Sequence, residues 1–150
     1  MRIKPGKIKD MDVFTRLLQQ HGMKATSQRM AVHTAMMDLV HASADMVYES
    51  IVKRGGCRIS KASVYSILTE LADNGIYARR MSANNKMFFD INTYRHVHLY
   101  DSVNHEFLDI EADELLDAVE TGLRRRRFKG FKMDDVDVQI ICHPTRKRLI

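Results

Sequence analysis

Residues 60–91, which read SKASVYSILTELADNGIYARRMSANNKMFFDI, decide the fold. Apolar side chains first recur at helical spacing, and Asn74-Gly75 then supplies a left-handed stop. Beyond that stop the period changes to the alternation of a β-hairpin around the turn-rich segment 82–85. A helix followed at once by a hairpin indicates a winged helix-turn-helix. The helical stripe is Val64, Ile67, Leu68 and Leu71, and the alternating positions are Ile76, Ala78, Arg80, Met87, Phe89 and Ile91.

Three further helical patterns precede this stretch. The first covers residues 11–20, and the second begins near Ser27. The third begins after Ser43, which can cap a helix, and ends at Gly55-Gly56. The sequence therefore predicts that residues 1–91 form a winged-helix domain.

The chain changes character after residue 91, where two strands, a helix and a further strand are predicted. Their predicted ranges are 95–100, 106–110, about 112–128 and 131–142. Acidic residues fill the first turn of this helix, and the arginine run 124–127 fills its last turn, as the helix dipole favours. We therefore expect an α+β fold, in which residues 92–150 form a small α/β domain.

A domain of three strands and one helix buries little core on its own. The alternating side chains Val136, Val138, Ile140 and Cys142 would leave an apolar sheet face in need of cover. Such a face is most commonly buried against a second copy of the chain in a two-fold symmetric dimer. We therefore expect residues 92–150 to hold a homodimer together.

The composition is that of a globular protein, with 150 residues, of which 45% are hydrophobic and 29% charged. These values exclude wholesale disorder, a collagen-like repeat and a disulfide scaffold. The sequence shows neither a window of about eighteen apolar residues nor a signal-peptide pattern, so we expect a cytoplasmic protein without a membrane partner. Of the net charge of +5, residues 1–91 carry +6 and residues 92–150 carry −1. The basic first part suggests a polyanionic partner, and the alternative is an unevenly charged solvated surface.

The polar side of the helix that begins near Ser60 carries residue types that read a DNA major groove. A lysine can contact phosphate, a tyrosine can reach base edges, and small hydroxyl groups can form hydrogen bonds. An ordinary solvated face is the alternative, but basic residues elsewhere favour duplex DNA as a partner. The predicted DNA-binding residues are Lys61, Tyr65, Ser66 and Thr69 on this helix, Lys24 and Arg29 near the second helix, and Arg79 and Arg80 in the wing.

The motif His96-Val-His98 is the second chemical feature. Residues two apart on a strand share one face, so both imidazoles can bind one transition metal. Glu106 could approach the same face across a hairpin, and His41 could add a ligand only if the two domains fold against each other. Structural histidines are one alternative, and a small metalloenzyme with an open coordination position is another.

Cys57 and Cys142 stand outside any Cys-x-x-Cys pair. A structural zinc site of the four-thiolate kind is therefore excluded within one chain. The sequence also lacks a nucleophile elbow and a glycine-rich loop that could cradle phosphate. We therefore do not expect an enzyme.

Four stretches occur in an order that resembles the ferric uptake regulator (Fur) family over about residues 13–142. They are GMKATSQR at 22–29, HASADMVY at 41–48, ISKASVYSILTELADNGI at 59–76, and His96-Val-His98 leading to Glu106-Phe107. The resemblance implies a dimeric, metal-responsive transcription factor with an N-terminal winged helix and a C-terminal dimerisation domain. Metal uptake, haem or oxidative-stress genes are its expected targets.

The resemblance also assigns roles to single residues. Lys24, Arg29 and Tyr65 match positions that contact DNA in the family. Ser66 replaces the arginine that usually follows this tyrosine, which implies a changed operator sequence.

The same resemblance implies one regulatory metal site per subunit, for zinc or iron, that links the two domains. Its implied ligands are His41, His96, His98 and Glu106. A further family ligand, a glutamate in the wing turn, falls at about Ala83, which implies a site short of one carboxylate.

The largest departure from the family pattern lies after His98. Residues 99–105 read LYDSVNH where the family commonly has a Cys-x-x-Cys knuckle, and the second cysteine pair near the C-terminus is absent. The chain is thus identified as a divergent member that is not expected to hold structural zinc. A metal-independent winged-helix regulator is the main alternative to a metal-dependent one.

Overall fold

The computed structural model describes residues 9–146. The outer ends of the two expected domains, residues 1–8 and 147–150, lie outside the described part. The chain divides into two compact units, one reaching to Thr93 and the other beginning at Tyr94. The boundary expected from the sequence lies two residues earlier, between residues 91 and 92.

The described residues of the N-terminal unit form four helices and an antiparallel three-stranded sheet, which confirms the predicted winged helix. In chain order the elements are α1 (Met11–Gln20), α2 (Ser27–Leu39), β1 (His41–Ala42), α3 (Ala44–Arg54), α4 (Lys61–Asp73), β2 (Ala78–Met81) and β3 (Met87–Asp90). The predicted apolar stripes of α1 to α4 and the wing strands meet in one core.

A polar side chain caps the N-terminus of each of these four helices. Each cap accepts a hydrogen bond from the backbone N–H three residues further on, at 2.8–3.3 Å. Such a cap stabilises a helix by about 1 kcal/mol. The caps are Asp10, Thr26, Ser43 and Ser60.

The wing contains a third strand that the sequence does not predict. β3 lies between β1 and β2, and His41 on β1 is directly opposite Asp90. Val40, with a φ of 62°, turns the chain from the end of α2 into β1. Two residues are too few to show an alternating pattern, so only the pairing with β3 reveals this strand.

The C-terminal unit contains β4 (Val97–Asp101), β5 (Glu106–Ile110), α5 (Asp113–Arg124) and β6 (Gln139–Cys142). Its sheet has the order β5-β4-β6, with β4 antiparallel to β5 and parallel to β6. A small core forms where α5 packs on the sheet. Within residues 9–146, no helix has both the length and the apolar character needed to cross a membrane.

Two elements of this unit are shorter than predicted. α5 ends at Arg124 instead of near residue 128, and β6 begins at Gln139 instead of near residue 131. The neighbouring strand β4 has only five residues, so it can pair only with the last part of the predicted strand. The side chains between the two elements are mostly exposed.

Candidate metal centre and DNA-binding face

Two imidazoles and a carboxylate converge in the C-terminal unit. His98 on β4 lies directly opposite Asp109 on β5, and its Nε2 atom is 3.5 Å from Asp109 Oδ1. His96, two residues earlier, places its own Nε2 atom 3.0 Å from the same oxygen. One ligand atom of each residue lies within 4.8 Å of the others. The structure therefore brings the predicted His-x-His pair to a carboxylate in an arrangement that one cation can share.

Other oxygen atoms orient the two rings. His96 Nδ1 donates to the carbonyl oxygen of Tyr94, and His98 Nδ1 lies 3.4 Å from Oδ1 of Asp137. A partner at one ring nitrogen fixes the ring and leaves the other nitrogen for a metal. Both histidine side chains are at most 5% exposed, so protein contacts rather than solvent set their orientation.

The structure does not bring Glu106 to this group. The β4–β5 hairpin has a four-residue turn, so pairing starts with Asp101 and Glu106 at the turn. Counting back from that pair sets His98 opposite Asp109, three residues further along β5. Asp109 therefore takes the place predicted for Glu106, whose side chain is exposed. The predicted strand ends, at residues 100 and 106, would have set His98 opposite Leu108, so only the observed register identifies Asp109.

The fourth predicted ligand, His41, lies on β1 in the N-terminal unit. Its Nε2 atom is 3.2 Å from Oδ2 of Asp90, and the two side chains are 7% and 1% exposed. The Asp90 carboxylate therefore lies beside His41, which the local sequence pattern does not indicate. In the N-terminal unit, the carboxylate beside His41 therefore lies on β3 and not in the wing turn at Ala83.

Arg79 and Arg80 point to opposite faces of the wing, because successive strand residues alternate. Arg79 is exposed and lies 2.6 Å from Asp73 Oδ1. The Arg80 side chain is 8% exposed, and its Nη2 atom is 3.6 Å from Asp90 Oδ2. The structure therefore corrects the assignment of Arg80 to DNA phosphates, since its guanidinium faces a buried carboxylate.

The outer face of α4 presents most of the predicted DNA-reading residues. Tyr65 is 51% exposed, and Ser66 is also exposed. Lys61 is exposed at the start of the helix, where its Nζ atom is 3.7 Å from Asp45 Oδ1. Thr69, one turn after Tyr65, is only partly exposed. The first two turns of α4 are therefore the part of the helix that is open to a groove.

Lys24 and Arg29, the two basic residues near α2, have different surroundings. Lys24 is exposed. Arg29 Nη2 donates to both carboxylate oxygens of Glu70, at 3.1 and 3.0 Å, and Nη1 donates to the Lys24 carbonyl oxygen at 2.8 Å. The Arg29 side chain is only 18% exposed. Arg29 therefore links the start of α2 to α4, and Lys24 is the better placed of the two to reach a phosphate.

The donor set of the C-terminal unit fits a first-row divalent metal. Imidazole suits zinc and iron, and carboxylate oxygen suits manganese, so two histidines with one aspartate do not select among them. The residues that would hold the ion are His96, His98 and Asp109. When bound, such an ion would supply positive charge beside the Asp109 carboxylate.

Comparisons with known proteins agree with this fold. The family model described as the ferric uptake regulator family matches residues 20–141. The ferric uptake regulation protein of Haemophilus ducreyi is 29% identical over 90 residues, which are 57% of this chain and 60% of that protein. The chain therefore spans about three fifths of that relative.

Solved structures of related fold cover nearly the whole chain. The ferric uptake regulator of Vibrio cholerae superposes with a TM-score of 0.73 at 20% identity, covering 87% of this chain and 99% of that one. The regulator from Pseudomonas aeruginosa, solved with manganese, superposes with a TM-score of 0.67 at 21% identity, covering 88% and 98%. Since the family model matches most of the sequence, the chain belongs to the ferric uptake regulator family.

Proposed function

We propose that the protein is a dimeric transcriptional regulator whose affinity for duplex DNA depends on a divalent metal. The observation that carries this proposal is the convergence of His96, His98 and Asp109 at 3.0–3.5 Å in a chain whose other unit is a winged helix. We place its action in the cytoplasm, on genes of metal uptake, haem or oxidative stress. Manganese and zinc appear in the names of solved relatives, which supports these metals beside iron.

On the DNA side, the proposal rests on the exposed first turns of α4. Tyr65 reads bases, Lys61 and Lys24 contact phosphates, and Ser66 supplies a hydrogen bond. The hydroxyl oxygen of Thr69, which the sequence placed on the same face, is buried and does not reach the groove. Arg29 holds α4 in position through Glu70. Arg79 adds a phosphate contact from the exposed face of β2.

We further propose that His41 and Asp90 complete the coordination of the same ion. The support is chemical: each unit offers a histidine beside an aspartate, and the family resemblance assigns His41 and the His-x-His pair to one site. A metal that takes ligands from both units favours the arrangement in which both reach it. The coupling is reciprocal, so DNA tightens metal binding by the same factor by which metal tightens DNA binding.

Within the winged helix, β3 connects the proposed ligand to the DNA-reading residue. Asp90 ends β3, and the residue before it, Phe89, packs edge-on against the Tyr65 ring with the ring centroids 6.4 Å apart. A shift of β3 on metal binding therefore acts directly on the residue that reads bases.

The test compares DNA binding with Mn²⁺ or Zn²⁺ and with a chelator, measured by fluorescence anisotropy. We expect the wild type to bind stoichiometric metal and to bind DNA at least about tenfold more tightly with it, a coupling typical of such systems. A His96→Ala/His98→Ala double variant should lose both effects. His143→Ala, at an exposed histidine of the same unit, is the matched control. A double variant that keeps both effects would place the site elsewhere.

A metal-independent regulator is the second candidate, and one observation favours it. Asp90 already has a cation beside it, because Arg80 Nη2 lies 3.6 Å from its Oδ2 atom. In that case DNA binding would be equal with metal and with chelator, and His98→Ala would leave it unchanged. A metalloenzyme is the third candidate function, and it would require catalytic turnover that Tyr65→Ala does not abolish. The family relationship favours a regulator over an enzyme.

A further inference from the structure

Three side chains of the N-terminal unit meet at one carboxylate oxygen. His41 Nε2 lies 3.2 Å from Asp90 Oδ2, and Arg80 Nη2 lies 3.6 Å from the same atom. The three residues come from the three strands of the wing sheet, with Asp90 on the middle strand β3. Arg80 on β2 lies directly opposite Phe88 on β3, and Phe88 is two residues before Asp90. Arg80 and Asp90 therefore lie on the same face of the sheet.

Because this group is buried, the Arg80 guanidinium is needed to balance the charge of the Asp90 carboxylate. Asp90 is 1% exposed and Arg80 is 8% exposed. A carboxylate removed from water requires a cation or several hydrogen bonds to remain charged, and a buried pair that loses one partner is strongly destabilised. Lys9 adds positive charge to the same region: burial lowers the pKa of Lys9, and the charge of Asp90 opposes that shift.

A divalent ion and a guanidinium cannot both sit against one buried carboxylate oxygen without strong repulsion. Asp90 Oδ1 already accepts a hydrogen bond from the Asn92 backbone N–H at 2.8 Å, so a metal would bind Oδ2 and would displace Arg80 from it. The attraction lost between Arg80 and Asp90 subtracts from the metal affinity.

We propose that Arg80 is an internal counter-cation that competes with the regulatory metal for Asp90 and so raises the metal concentration at which the site fills. This inference rests on the proposed function, because it needs Asp90 to be a ligand. Without metal, Arg80 neutralises Asp90 and keeps β2 on β3. With metal, the ion takes over that charge, so the wing sheet is held together in both states.

The test substitutes Arg80 with methionine, which keeps most of the side-chain length and removes the charge. The matched control is Arg79→Met, at the exposed neighbour on the same strand, which pairs with Asp73. Binding of Mn²⁺ and of Zn²⁺ is measured by isothermal titration calorimetry, and thermal unfolding is measured with chelator and with metal. Arg80→Gln also removes the charge but keeps hydrogen-bond donors, and it provides a second variant if the methionine variant unfolds.

For Arg80→Met we expect metal affinity to rise about tenfold or more, the midpoint of thermal unfolding to fall in chelator, and metal to restore it. Arg80→Gln should also raise metal affinity, and Arg79→Met should change neither measurement. Metal binding that is unchanged or weaker in Arg80→Met overturns the inference while leaving the proposed function intact. If neither the wild type nor the variant binds metal, both proposals fail.

Discussion

At the scale of single residues, the buried surroundings of His33 fix the tautomer and the charge of its ring. It is fully buried, and its ring stacks on Phe14 with centroids 3.9 Å apart. Nε2 lies 2.8 Å from the carbonyl oxygen of Lys9, which can only accept, so Nε2 carries the proton. Nδ1 therefore accepts from the Tyr77 hydroxyl at 2.6 Å. Burial, opposing the hydrogen bond to Lys9, lowers the pKa of His33 to about 4, so the ring is neutral at physiological pH.

This lowered pKa predicts a loss of stability in acid. Between pH 6.5 and about 4 the unfolded chain binds a proton at His33 and the folded chain does not, so the free energy of unfolding falls as the pH falls through that range. The expected loss is about 3 kcal/mol, because a pKa difference of one contributes about 1.4 kcal/mol, and it levels off below the folded pKa. The free energy of unfolding, measured by denaturant titration, should fall over this pH interval in the wild type. It should fall less in His33→Gln, because glutamine does not bind a proton.

His21 provides the control for that experiment, because it is an exposed histidine at the end of α1. His21→Gln should keep the pH dependence of the wild type. If His33→Gln instead shows the same acid profile as the wild type, the stability loss arises from other groups and His33 is protonated in the folded protein.

At the scale of the element, α4 separates its two roles by face. Val64, Leu68 and Leu71 are fully buried in the winged-helix core, and Tyr65 is 51% exposed on the other side. The cap at Ser60 and the pairing of Glu70 with Arg29 hold both ends of the helix. A helix fixed in this way presents its polar face without rearrangement, which reduces the entropic cost of binding.

We therefore predict different effects for two substitutions on the DNA-binding side. Tyr65→Ala should reduce discrimination between operator and random DNA by about 1–3 kcal/mol, because it removes a base contact. Lys24→Ala should weaken binding to both DNAs and lower the slope of log affinity against log salt by about one, because it removes a phosphate contact. Anisotropy titrations over a range of salt concentrations measure both quantities.

Lys53→Ala, at an exposed lysine on α3, is the control for a general effect of net charge. It should leave both quantities near their wild-type values. Equal losses on operator and random DNA for Tyr65→Ala would contradict base reading by α4.

At the scale of the whole molecule, the described residues 94–146 of the C-terminal unit expose five large apolar side chains, namely Val103, Phe128, Phe131, Met133 and Ile141. Its core of Val97, Ile110, Ala112 and Leu116 is small. Ile141 on β6 is 61% exposed, while the preceding Ile140 packs against this core. Exposed apolar groups at this density on a small unit indicate a surface that a second copy covers. Cys57 and Cys142 do not form a disulfide with each other, so no disulfide within the chain stabilises this unit.

We predict a dimer that survives metal removal. Sedimentation velocity in a chelator should show the same dimer as in Mn²⁺, because apolar packing and not a zinc–thiolate cluster holds the copies together. Ile141→Asp should raise the dimer dissociation constant at least about tenfold, since covering an isoleucine contributes about 1.5–3 kcal/mol.

Val52→Asp tests whether any exposed apolar position has this effect, because Val52 is 58% exposed on α3 of the other unit. This variant should remain dimeric. Monomers of the wild type in chelator would show that a metal holds the dimer together.

The sequence by itself determined the local structure of the winged helix. The apolar stripes, the capping residues before each helix and the stop at Asn74-Gly75 act over a few residues, so they can be read without knowing the neighbours. The His96-Val-His98 pair was readable for the same reason, since two residues of one strand share a face. The exposed face of α4 followed from its stripe.

Only the tertiary structure decided which groups surround those histidines. Asp109 faces His98 because of the register of β4 and β5, and Asp90 faces His41 because a two-residue strand pairs with the wing. The pairing of β2 with β3 likewise turned Arg80 toward Asp90, while Arg79 stayed in solvent. These positions depend on alignment between separate segments, and a shift of one residue would reverse every side chain. The local pattern of each strand therefore could not show them.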